Sequence, residues 1–258
     1  MIEAKKVLGQ NFLTDQNKIK TIVDSIPNLA ESTIVEVGPG RGAITKLLAA
    51  KAKKLIAIEI DEDMIDILND SIQTYNFTLI NKDILEVEWE DILDDGKDIQ
   101  FVSNLPYYIS TKIMFKVAAD KRFNSMSVML QKELVDRIFA KNNTKAFGRL
   151  TVSIGSLFNL KQKITVPAGC FTPKPNVDSG FIVLTRKDND FNEVDYLKFI
   201  KAAFSAKRKT FLNSLKNGNF DKLKEVKQYL IDNNINENIR SEEITIKKFI
   251  NIYNAIKK

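Results

Sequence analysis

The chain has 258 residues, 44% of them hydrophobic and 28% charged, enough for one large domain or a domain with a small companion. It contains one cysteine and no histidine. That excludes an internal disulfide, paired-cysteine metal or redox motifs, His-assisted nucleophiles and most transition-metal sites.

The N-terminal stretch, residues 1–17, has no apolar core of the signal-peptide kind. No run of 18 apolar residues follows anywhere, so no membrane span is expected. With a single cysteine, a reducing, cytoplasmic setting is expected.

From Thr33 onward short apolar runs alternate with helical periodicity. Thr33–Val37 reads as a buried strand, then a glycine-rich turn and a helix through Ala43 to Ala50. Leu55–Glu59 is the next strand and Glu62–Gln73 the next helix, with Met64, Ile65 and Leu68 on its apolar face. Thr78–Asn81, Gln100–Ser103 and Ser125–Leu130 read as further strands, followed by a helix from Lys132 to Ala140. This alternation predicts βαβ units: an α/β fold with a mostly parallel sheet and helices on both faces. Ligands of such sheets bind beyond the carboxyl ends of the strands.

After Phe158 the pattern changes. Lys161–Val166 and Gly180–Thr185 are expected as two strands closing the sheet around a proline-bearing loop. Beyond a boundary at residues 188–190 only helical spacing remains, over 194–204, 207–216, 221–232 and 242–256, the last with Ser241 as N-cap. The expected division is a domain of residues 1–188 and a small all-α domain of residues 189–258.

Charge is distributed unevenly over this frame. Residues 59–98 hold 14 acids and 2 lysines, whereas residues 189–258 hold 14 Lys and Arg against 9 acids. The net +6 alone suits ordinary solvated surfaces. Its segregation also suits a basic face for a polyanion opposite an acidic flank.

Gly38-Pro39-Gly40-Arg41-Gly42 ends the first strand and opens a helix, so the backbone can turn sharply and approach a ligand. Glu59 ends the second strand, where a carboxylate can accept from both hydroxyls of a ribose. Asp83, just after the third, is placed for an adenine amino group. Three such elements at successive strand ends predict an adenosine-containing ligand. NAD and S-adenosylmethionine both satisfy them.

Asn104-Leu105-Pro106-Tyr107, after the fourth strand, separates the two. Methylating the amine of adenine is hard because its lone pair is delocalised into the ring. Two acceptors aimed at its hydrogens, the Asn104 side-chain oxygen and the Leu105 carbonyl, would draw the nitrogen towards tetrahedral geometry. Pro106 restricts Leu105 to extended conformations, and Tyr107 offers a ring on which an extruded base can stack. Positioning and electrostatics then carry the reaction, and no histidine is needed.

At this point the sequence closely resembles the rRNA adenine N6,N6-dimethyltransferases, nearly end to end. Leu8-Gly-Gln-Asn-Phe-Leu13, Glu36–Gly42 and Asn104–Thr111 are similar to the family's cofactor-cap, glycine and adenine-amine motifs. Gln131–Glu133, Phe147–Leu150, Phe171–Ser179 and Phe204–Leu215 are similar to later blocks. Residues 177–184 and 206–215 resemble the branch acting on the small ribosomal subunit rather than the antibiotic-resistance branch acting on the large one. Tyr108 and Phe147 depart from the commoner Asn and Tyr.

The resemblance implies a Rossmann-like methyltransferase fold, S-adenosylmethionine as cofactor and no metal. It also implies a monomer whose partner is 16S rRNA within a small-subunit precursor, dimethylated at two adjacent adenosines of the hairpin near its 3′ end. Cofactor contacts are implied for Gln10, Asn11, Leu13, Gly38, Gly40, Glu59, Ile60, Asp83, Ile84 and Asn104. Tyr107 and Phe171 would sandwich the flipped adenine. Cys170 is read as a small buried residue. Lys207, Arg208 and Lys209, expected at the start of a helix, would contact RNA phosphates, with Lys145 and Arg149 as further candidates in a loop beside the active site. A catalytically silent assembly or transcription factor with this fold is the competing class, against which the intact Asn104–Tyr107 and Glu59 argue.

Overall fold

The computed structural model describes residues 10–94 and 98–257. Leu8 and Gly9 of the N-terminal motif lie outside the described residues.

The chain divides into two compact units. One is built from the sequence up to Val117 together with Lys121–Lys132 and Leu160–Arg186; the other takes Ala118–Asp120, Glu133–Asn159 and Lys187 onward.

The first unit is organised by β2 (Thr33–Val37), β3 (Lys54–Glu59), β4 (Phe77–Asn81), β5 (Ile99–Asn104), β6 (Phe123–Gln131), β7 (Phe158–Val166) and β9 (Ser179–Arg186). They form one seven-stranded sheet in the order β4-β3-β2-β5-β6-β9-β7. The first five are parallel, and β9 runs antiparallel to β6. β2, β3 and β5 are buried nearly throughout because, as central parallel strands, they are covered on both sides. The edge strand β7 exposes residues 159–163, including Lys161 and Lys163, charges that discourage pairing with another sheet.

From β2 the chain steps outward through α2 (Thr45–Lys51) to β3 and through α3 (Glu62–Ser71) to β4. It then returns to β5 on the other side of β2 and continues through α4 (Ser110–Ala118) to β6. Right-handed crossovers in opposite directions put their helices on opposite faces of the sheet. They also open a crevice between β2 and β5, at the carboxyl ends. A two-stranded ladder, β1 (Phe12–Leu13) with β8 (Phe171–Thr172), pairs Leu13 with Phe171, ahead of helix α1 (Gln16–Asp24).

The second unit is helical: α5 (Lys132–Ile138) for most of its length, α6 (Arg149–Leu157), α7 (Glu193–Ala203), α8 (Phe211–Asn217), α9 (Leu223–Asp232) and α10 (Ile246–Ile256). Its core is aromatic, with Phe199 within 6.3 Å, ring centre to ring centre, of Tyr196, Phe211, Phe220, Phe249 and Tyr253. The hydroxyls of Ser156 and Tyr196 meet at 2.7 Å, satisfying two polar groups inside it.

Two helix starts differ from expectation. Lys207, Arg208 and Lys209 lie in a turn ahead of α8, and Thr210 caps it by accepting from the Asn213 N–H at 3.4 Å. A first turn made of cations would oppose the helix dipole, and the threonine cap removes them from it. The last helix begins at Ile246, capped by Thr245, which accepts from the Lys248 N–H, while the Ser241 hydroxyl donates to the Ala203 carbonyl. Ser241–Glu243 is a separate 3-10 turn. No helix among the described residues is long and apolar enough to cross a membrane.

Candidate active site

A cavity of about 280 Å³ sits at the carboxyl ends of β2, β3 and β5. Its wall includes Gln10, Asn11, Leu13, Gly38, Gly40, Glu59, Ile60, Asp83, Ile84 and Asn104, together with Leu105, Pro106 and Tyr107. The structure thus brings together residues spread over nearly a hundred positions.

The floor is the glycine turn. Gly38, Gly40 and Gly42 have φ of 66°, 54° and 78°, a region that costs other residues about 1–2 kcal/mol. At Gly40 a Cβ would also sit 3.1 Å from the Phe12 ring. The Arg41 guanidinium lies over the Phe12 ring, 4.4 Å from its centre.

Glu59 locks this turn to β3. One carboxylate oxygen accepts from the Gly40 N–H at 3.1 Å; the other accepts from the Ile60 and Asp61 N–H groups at 2.9 and 3.0 Å. Burial pushes its carboxyl above the ordinary range, and these backbone donors pull it part of the way back. The arrangement has a chemical consequence. The Gly40 N–H, which in a dinucleotide site would face a phosphate, is committed to a carboxylate. That donor is therefore not free for a phosphate.

Neighbouring contacts fix the rest of the wall. The Gln10 amide donates to Asp61 at 2.7 Å, and Asp61 caps α3, so residue 10 is tied to the same corner. Asp83 accepts from the Leu85 N–H at 2.8 Å and caps a 3-10 turn containing Ile84. The Asn104 amide nitrogen donates to the Asn11 carbonyl at 3.2 Å. The Tyr107 and Ser179 hydroxyls are 3.1 Å apart, which anchors the far end of the Tyr107 side chain.

Phe171, expected against the target base, stands apart from the other expected site residues. It does not line the cavity; it is 3% exposed, lies opposite Leu13 in the β1–β8 ladder and packs with Leu13, Ile19 and Val166 in the core. The ladder turns its ring inward. Cys170 beside it is buried, as expected, and its carbonyl accepts from the Thr14 N–H at 2.8 Å.

Glu36 is the wall residue that sequence reasoning passed over. It is 3% exposed, and one of its carboxyl oxygens has no hydrogen-bond partner. Burial pushes it up to about 8; the buried Thr45 hydroxyl draws it down, and the charge of Glu59 raises it further. It is therefore a neutral acid at pH 7. A carboxylic residue within the otherwise apolar Thr33–Val37 strand was its signal in the sequence.

Of the proposed RNA contacts, Lys145, Lys207, Arg208 and Lys209 are exposed. Arg149, at the start of α6, is half-buried, and desolvation lowers its pKa.

Comparison with known proteins gives a consistent picture. The family model for ribosomal RNA adenine dimethylase matches residues 1–258. A ribosomal RNA small subunit methyltransferase A of Bacillus thuringiensis (strain Al Hakam) is 38% identical over 265 residues, covering 98% of this chain and 91% of that protein. Its counterpart in Mycoplasmopsis pulmonis (strain UAB CTIP) is 45% identical over 218 residues, 83% of this chain and 84% of that one. Among solved structures, a dimethyladenosine transferase from Plasmodium falciparum superposes with a TM-score of 0.78 at 23% identity, covering 95% of this chain and 98% of its own. The 23S rRNA methyltransferase ErmE gives 0.65 at 21% identity, covering 96% and 100%. The last two establish the fold.

Proposed function

The chain belongs to the ribosomal RNA adenine dimethylase family, and from that premise we infer that it dimethylates N6 of two adjacent adenosines in the 3′-terminal hairpin of 16S rRNA, using S-adenosylmethionine. The acceptor would be a small-subunit precursor and the enzyme a cytoplasmic monomer. Residues 1–188 would carry the chemistry, and residues 189–258 would hold RNA.

The pocket fits that cofactor. A glycine cradle in the left-handed region at Gly40 and a backbone donor already taken by Glu59 together favour a nucleoside without phosphates over a dinucleotide. Glu59 and Asp83 would hold its ribose and adenine, and the glycine turn would lie under its amino-acid portion. When bound, the group would supply an electrophilic methyl on sulfur.

The single observation that carries the reading is the Asn104 hydrogen bond to Asn11. With the amide nitrogen engaged, the side-chain oxygen remains as an acceptor for the target amine. The Leu105 carbonyl would take the second amine hydrogen, and Tyr107, fixed through Ser179, would stack under the base. Neither acceptor removes a proton before transfer, because the amine becomes acidic only once alkylated. Lys145, Arg149, Lys207, Arg208 and Lys209 would bind phosphates and position the RNA without reading bases.

Methyl transfer to undermethylated small subunits, followed by mass mapping of the modified adenosines, tests this. Two adjacent dimethyladenosines are expected. Activity confined to large subunits would overturn the reading in favour of the resistance branch.

A further inference from the structure

The rim of the cavity carries more aromatic surface than one flipped base uses. Tyr107 and Tyr108 follow one another in the turn between β5 and α4. Tyr107 is half-buried and tethered to Ser179. Tyr108 lines the same cavity, is 60% exposed and makes no hydrogen bond among the described residues. Folding alone gives no reason for a ring there, since exposed turn positions favour small polar residues and a bare aromatic face forgoes a large apolar contact. Lys112, in the first turn of α4, is exposed four residues further on.

We propose that Tyr108 is a stacking platform for the nucleotide adjacent to the one whose amine meets Asn104, with Lys112 placed for the phosphate between the two. This rests on the RNA reading above and extends it to a second base. A ring at the rim can hold the neighbour outside while its partner enters, so Tyr108 sets register. It does not read identity, because every base has a π-face. Two adjacent targets could then exchange places by a one-nucleotide shift across the same pair of rings.

The test uses the full chain with Tyr108→Ala and Tyr108→Phe. The alanine variant is expected to raise KM for the RNA by roughly 5- to 150-fold, the range for one lost stacking contact. Its kcat and S-adenosylmethionine affinity should stay near wild type, and the phenylalanine variant should match wild type throughout. An RNA hairpin with 2-aminopurine at the neighbouring position gives a direct readout: quenched by wild type and Tyr108→Phe, bright with Tyr108→Ala. A wild-type enzyme that methylates small subunits while Tyr108→Ala shows unchanged KM and quenching would overturn the platform alone. Equal losses in both variants would also overturn it, assigning the effect to the hydroxyl. A wild type that neither methylates nor quenches would remove the RNA reading and the platform together.

Discussion

The side chain of Asn104, at the end of β5, donates to the main-chain carbonyl of Asn11, 93 positions earlier, at 3.2 Å. One hydrogen bond therefore decides which end of the amide faces the target. Asn104→Ala removes that acceptor and leaves the basic residues proposed for RNA binding in place. Its kcat is expected to fall by about 10²–10³, the usual effect of deleting one positioned polar contact, with RNA affinity near wild type. A filter-binding assay beside the kinetics checks this, and a matching loss of affinity would refute the separation.

Glu36 makes stability depend on pH. Its ordinary value is 4.5 and its folded value about 8. Between those values the folded chain retains a proton that the unfolded chain has released. Stability should therefore fall as pH rises from 4.5 to 8, by up to about 1.4 kcal/mol per pH unit from this group, and level off above. Glu36→Gln fixes the neutral form and should flatten the slope in urea melts at successive pH values. An unchanged slope would assign the dependence to Glu59.

Gly40→Ala should separate the cradle from the rest of the fold. With φ at 54° and the Phe12 ring 3.1 Å from the new methyl, a stability loss of about 1–2 kcal/mol is expected. Calorimetry should also show S-adenosylmethionine bound at least about tenfold more weakly, since strain here displaces the Glu59 contact. Wild-type affinity would mean that the ring yields.

Replacing Lys207, Arg208 and Lys209 together should weaken RNA binding and flatten its salt dependence. Each lost phosphate contact should remove roughly 0.7–0.9 of a unit from the log–log slope. These residues precede α8, so the helix itself should survive, as circular dichroism would show. An unchanged slope would mark them as a solvated face.

Phe171→Ala should unfold the first unit more readily, by about 3–5 kcal/mol, as a large-to-small change in a core does. Phe171→Leu should recover most of that stability and most of the activity. Loss of activity in the leucine variant at full stability would return the ring to the substrate.

The central sheet was legible because each strand announces itself: Thr33–Val37, Leu55–Glu59 and Gln100–Ser103 are apolar runs bounded by turn residues. The site was legible because its ligands sit at the ends of those runs. The β1–β8 ladder was not, since two strands of two residues, 158 positions apart, leave no local pattern. The pairing of Phe171 with Leu13 was hidden for the same reason. Helix α6 was missed because seven of its nine residues are buried, which erases the polar face that marks an amphipathic helix. The basic run at 207–209 was drawn into α8 by the spacing of Phe211, Leu212 and Leu215, whereas Thr210 begins it.

The same ladder imposes an order on how the enzyme comes into being. Leu13 helps form the cavity wall, and its strand partner is Phe171. During synthesis at about 5–20 residues per second, roughly 8–30 s separate the emergence of the two. Until Phe171 has left the ribosome, residues 12 and 13 have nothing to pair with and that wall stays open. A nascent chain carrying the complete glycine turn, Glu59 and Asn104 would still lack its closing strand. A chain truncated before residue 171, which keeps the five parallel strands but lacks both this ladder and β9, should accordingly bind the methyl donor poorly.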